Sequence, residues 1–129
     1  MIWIFIDTHE RGTVVYGVLG QPSKIRSYAG RGNLLIHKLS QLIQRQDISK
    51  LSGVCVVQGP GPFSSIRIGV LIANILARSL SLPLYPVTVD QTLDHESLHA
   101  FLMHGKIKSV KYVAPEYDQD PNITLPKAV

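Results

Sequence analysis

Gly53-Val54-Cys55-Val56-Val57, then Gln58-Gly59-Pro60-Gly61-Pro62, then a long apolar stretch over 64–80 constrain this chain more than any other feature. An unbroken small and β-branched apolar run forms a strand covered on both faces, since a half-exposed strand would alternate with polar residues. Two glycines and two prolines end it. Leu, Ile and Ala at nearly every position afterwards make a helix. Strand, tight turn and helix are half of an α/β crossover, which selects a sheet with helices packed on it.

The rest of the chain fits that half-unit. Ile2-Trp3-Ile4-Phe5-Ile6 is a second continuous apolar run, hence a central strand. Residues 13–19 form another strand, and 24–28 alternate with period two as a half-exposed third. Short connections make these three an antiparallel meander. Residues 34–46 have helical spacing, with apolar side chains at 35, 39 and 42. Residues 82–87 read as a fifth strand whose prolines suit its ends. Residues 90–103 read as a helix stopped by Gly105, and 109–113 as a last strand. From Pro115 onward the chain is proline-punctuated and polar. The expected organisation is one domain over 1–113 and an extended tail over 114–129.

The turn resembles the G-P-G-S-F-T-G-L-R-I-G signature of the TsaB (YeaZ-like, Gcp-like) family, through Gly59, Pro60, Gly61, Phe63, Arg67, Ile68 and Gly69. Pro62, Ser64 and Ser65 depart from it. The resemblance covers about 2–89, the N-terminal half of a usual member, and the Pro115-Glu116-Tyr117 and Pro121 tail looks like a family C-terminus, so a natural minimal form with one lobe is expected. It implies the ribonuclease-H-like fold of the actin, Hsp70 and sugar-kinase superfamily: a mixed five-stranded sheet with helices on its faces. The pattern alone supports only an α/β mixed sheet. The resemblance also implies a part in forming N6-threonylcarbamoyladenosine in tRNA. The chain would be a non-catalytic scaffold docking on a TsaD-like catalytic partner, with a TsaE-like ATPase as a possible third subunit, a homodimer in the partner's absence, and tRNA met indirectly. No protease activity is expected.

Composition narrows the classes. The chain has 129 residues, 45% apolar and 17% charged, which suits one globular domain. A formal net charge of +4 favours proximity to nucleic acid without demonstrating it. Lys106, Lys108 and Lys111 read as a solvated face. The apolar start is too short to span a bilayer and lacks signal-peptide features, so a cytoplasmic location is expected. A single cysteine, Cys55, excludes an internal disulfide, and mid-strand it reads as a buried thiol rather than a nucleophile. Asn122-Ile123-Thr124 matches a glycosylation acceptor that means nothing without secretion.

The chemistry-bearing candidates are few. Asp7 ends the first strand, where the superfamily often handles metal or phosphate, and resembles the Asp-Thr-Ser opening of the family with His9 replacing Ser. A turn or cap residue is the plainer reading, because a metal-dependent nuclease needs several converging carboxylates. The Gly/Pro turn precedes a helix N-terminus, a usual phosphate position. Pro60 and Pro62 remove donors, however, and no Lys-Ser/Thr pair completes a P-loop. His95 and His99 share a helix face and could hold a metal with Glu96 or His104. The TsaD family's metal-binding H-x-x-x-H falls on Val89 and Leu93 instead. Ser64 and Ser65 sit in no G-x-S-x-G elbow. No catalytic residue, metal site or cofactor is assigned.

The strongest clue is the 64–80 helix, apolar around its axis, with Arg67, Asn74, Arg78 and a serine left for water. A helix packed on one sheet keeps a polar face, so a partner surface is expected on the helices at 33–46 and 63–80. Leu35, Leu39, Leu42, Ile66, Val70, Ala73 and Ala77 are its expected contacts. Packing of one helix against the other could account for part of the stripe. Two other functions remain open: a stand-alone metal-dependent nuclease or phosphoryl-transfer enzyme using Asp7, and a homodimeric binding module of unrelated role.

Overall fold

The structure, a computed structural model, describes residues 1–92 and 94–117. Strands β1 (Ile2–Asp7), β2 (Thr13–Leu19), β3 (Lys24–Ala29), β4 (Leu51–Gly59) and β5 (Leu84–Thr88) form one sheet in the order β3-β2-β1-β4-β5. The meander β1-β2-β3 is antiparallel, whereas β4 lies parallel to both β1 and β5. Helices α1 (Leu35–Gln44), α2 (Phe63–Leu80) and α3 (His95–Met103) cover the two faces.

Strand parity assigns the faces. The register Ile4↔Val54 and Ile6↔Val56 puts these side chains on one side with Val14, Tyr16 and Val18. There they meet Leu35 and Leu39 of α1 and Val70, Ala73 and Ala77 of α2. Trp3, Phe5, Cys55, Val57 and Val87 point the other way, toward Leu98 and Leu102 of α3. Central β1 and β4 are therefore buried on both sides, the physical reason their sequences run unbroken. Burying each large aliphatic side chain contributes about 1.5–3 kcal/mol.

Three segments differ from the sequence expectation. The helix expected over 90–103 is split into a 3-10 turn, Val89–Thr92, and α3. Asp94 caps α3: its carboxylate accepts from the Glu96 N–H at 3.0 Å and the Ser97 hydroxyl at 2.8 Å. Gly105, at φ +68°, closes the helix as expected, with the Lys106 N–H donating to Phe101 O at 2.9 Å.

In β5, Pro86 stands mid-strand rather than at an end. An edge strand tolerates the missing N–H, because among the described strands β5 pairs with β4 alone. No strand forms over 109–113, where the single bridge is Leu84–Val110. Ile107 is buried on the α3 side and Val113 on the α2 side, so this segment wraps the sheet edge instead of extending it. Asn74, expected to face water, holds the wrap: its amide donates to Val113 O at 2.9 Å, and its carbonyl accepts from Val113 N–H at 2.8 Å. Of the expected tail, 114–117 are described. The remainder, including Pro121 and Asn122-Ile123-Thr124, lies outside the described residues.

Candidate functional site: the signature turn and the outer face of two helices

Three backbone segments converge at the turn between β4 and α2, and glycines let them approach. Thr8, just past β1, donates its hydroxyl to Ser65 O at 2.7 Å. Gly69, one turn further along α2, faces the same threonine so closely that a Cβ would overlap the Thr8 side chain. Gly59, at φ +132°, lies against the Glu116 carbonyl, and a side chain there would meet both strain and collision. Gly61 sits between His9 and Ile66.

The 116–117 segment binds this junction directly. The Glu116 N–H donates to Gln58 O at 2.7 Å, Gly61 N–H donates to Glu116 O at 3.2 Å, and Tyr117 packs 4.6 Å from the Phe63 ring. Pro62 is the N-cap of α2. Arg67 lies 5.7 Å from the centre of the Phe63 ring. With Gly61 N–H occupied and two positions held by proline, the turn has few free donors for a phosphate. Its geometry is that of a structural junction.

The remaining candidates are tied into local structure. Asp7 is buried, and one carboxylate oxygen accepts from both the His9 N–H at 3.0 Å and His9 Nδ1 at 2.6 Å. The His95 and His99 rings pack edge-on to Phe5 and Trp3, each at 5.5 Å. His99 Nε2 lies 3.0 Å from Met1 O, which can only accept, so that nitrogen carries the proton. Among the described residues no group of three or more His, Cys, Asp or Glu is placed to hold a metal ion. Cys55 is wholly buried, and burial first, then the charge of Asp7, pushes its thiol far up from the ordinary range. Lys106, Lys108 and Lys111 are exposed.

The expected partner contacts need correction. Leu35, Leu39, Ile66, Val70, Ala73 and Ala77 are buried in this chain's own core, and Leu42 is half-buried. They face the sheet because the helices must first cover it. Besides Phe63 at the start of α2, the apolar side chains these two helices leave in solvent are neighbours one or two positions away: Ile36 on α1, 62% exposed, and Ile68, Leu71 and Ile75 on α2, at 38%, 52% and 56%. Positions 68, 71 and 75 follow the three-then-four spacing of one helical stripe. Together with Ile36 and Ile72 they line a groove along the helix pair, which continues past Ile43 and Leu76. An apolar all-round helix announced this second face, but only packing could tell it from the first.

Comparison with known proteins bears on this geometry. Residues 33–108 match the family model described as TsaD: tRNA N6-adenosine threonylcarbamoyltransferase. The tRNA threonylcarbamoyladenosine biosynthesis protein TsaB of Bacillus subtilis (strain 168) is 41% identical over 54 residues, 42% of this chain and 22% of that protein. YeaZ from Pseudomonas aeruginosa superposes with a TM-score of 0.61 at 18% identity, over 81% of this chain and 52% of its own. A crystal structure described as an uncharacterized protein with similarity to peptidase YeaZ from Pseudomonas aeruginosa gives 0.52 at 18% identity, over 81% and 49%. At that identity the likeness is one of fold, and it agrees with the ribonuclease-H-like expectation. The chain spans about half the length of these solved relatives.

Proposed function

We propose, from the premise that this chain belongs to the family described as TsaD: tRNA N6-adenosine threonylcarbamoyltransferase, on its TsaB (YeaZ-like) side, that it is a non-catalytic scaffold subunit in forming N6-threonylcarbamoyladenosine in tRNA. It docks on a TsaD-like catalytic protein through the outer faces of α1 and α2. A TsaE-like ATPase joins that assembly, the tRNA is met through the partner, and the same groove pairs two copies when the partner is absent.

The carrying observation is the uncovered stripe of Ile36, Ile68, Leu71 and Ile75, four large aliphatic side chains together in solvent. Contiguous apolar surface of this kind marks an interaction site. Asp7 favours the scaffold over an enzyme, since its carboxylate is buried and turned onto His9. No helix of the described residues is long and apolar enough to cross a membrane.

The test is the mass in solution of the purified chain, alone and mixed with the TsaD-like protein of its own organism. The expected result is a heterodimer that Leu71→Asp disrupts and Asp7→Asn leaves intact. A monomer indifferent to that partner overturns the proposal.

A further inference from the structure

The charge at the groove is mostly basic: Arg11 and Arg31 against Glu10 in its lining, with Arg67 and Arg78 exposed on the helix that forms one wall. Between Arg11 and Val89 the sequence has nine basic side chains and one acidic, Asp47. Neither α1 nor α2 contains Asp or Glu. Arg11 and Arg31 line one end of the groove, with Glu10 beside them, and Arg67 and Arg78 stand exposed along α2. Among the described residues the only close ion pair is His9 with Asp7, so these arginines are not neutralised there by their own chain.

We propose that this cationic rim selects the occupant of the groove: a protein whose facing surface carries carboxylates around an apolar centre, in preference to a second copy of this chain. The inference rests on the docking reading above. A protein is the occupant because the middle of the surface is aliphatic and the cations stand around it, the anatomy of a protein interface. A phosphate-tracking channel would instead put charge along its floor and stacking aromatics beside it.

Two copies meeting through the same face are related by a two-fold axis, so each sets its own arginines against arginines or near them. Like charges brought together oppose association, and complementary ones raise both rate and specificity. The rim therefore drives exchange from self-pairing to the mixed complex without any change in the apolar contacts.

The experiment is a pair of dissociation constants, for self-association and for the complex with the TsaD-like protein, at about 50 mM and about 500 mM NaCl. Salt at the higher level screens exposed charges beyond a few ångströms. The mixed complex is expected to weaken roughly ten-fold or more while self-association tightens. The surface double variant Arg31→Glu with Arg67→Glu is expected to weaken the mixed complex at low salt and to tighten self-association. A mixed complex indifferent to both salt and charge reversal overturns the rim selection and leaves the docking reading standing. No mixed complex at either salt overturns both. Transfer RNA added to the chain alone at low salt supplies the last arm: binding that the double variant abolishes would make the rim a phosphate reader and overturn the proposal.

Discussion

The two faces of α2 are written in nearly the same residues and meet opposite surroundings. Ile66, Val70, Ala73 and Ala77 are pressed onto the sheet, whereas Ile68, Leu71 and Ile75 on the same helix stand in solvent. The inner set is smaller on average, because a helix lying close on β4 leaves room for alanine and valine. The outer set is larger and carries arginine at its margins. Apolarity says that a face will be covered; size, neighbours and charge say by what.

The sharpest way to break this comparison is to place the same charge on each face. Ala73→Asp buries a carboxylate with no partner and is expected to cost about 3–5 kcal/mol, enough to unfold much of the protein in a urea titration. Leu71→Asp is expected to stay within about 0.5 kcal/mol of the parent. Equal losses would mean that the outer stripe is core as well.

The signature turn offers a second contrast, between propensity and packing. Gly→Ala inside an exposed helix gains up to about 1 kcal/mol. Gly69→Ala is expected instead to lose about 1–3 kcal/mol, because the new methyl meets Thr8. Thr8→Ala in the same chain should return part of that loss. A stabilised Gly69→Ala protein would show that α2 does not lie so close to the end of β1.

The smallest effect sharpens the role of α3 on the other sheet face. The Ser97 hydroxyl first, and the Glu96 N–H second, hold the Asp94 carboxyl below its ordinary 3.8. A carboxyl lowered in the folded state adds stability above the ordinary value and loses it as pH falls through the lowered one. Amide protection at the start of α3, taken relative to the intrinsic exchange rate at each pH, is therefore expected to fall over that acid range in the parent and to lose this step in Asp94→Asn. An unchanged acid profile would show that the cap contributes nothing.

Much of the fold is legible in the sequence because its signals are local. The unbroken runs at Ile4 and Val54 identify strands buried on both faces, the alternation at 24–28 identifies a third strand, and Gly105 announces the end of α3. Where the expectation differs, a distant residue intervenes. Asn74 reads as a solvent residue until Val113 arrives from across the sheet edge, and 109–113 reads as a strand until that clamp bends it around. Pro86 reads as a strand end until β5 proves to be the last strand. The interface contacts shift for the same reason: period 3.6 identifies an all-apolar helix but does not say which stripe the sheet takes.

By itself, then, the sequence determined the five strands of the sheet, the helices after β3 and β4, the turn at Gly59–Gly61, the family resemblance and the excess of apolar surface on α2. The tertiary structure decided which aliphatic residues became core and which remained a groove, and it brought Arg11 and Arg31 to one end of that groove while Arg67 and Arg78 stayed exposed on α2. Backbone periodicity is encoded by neighbours a few positions apart, whereas exposure depends on what distant segments cover.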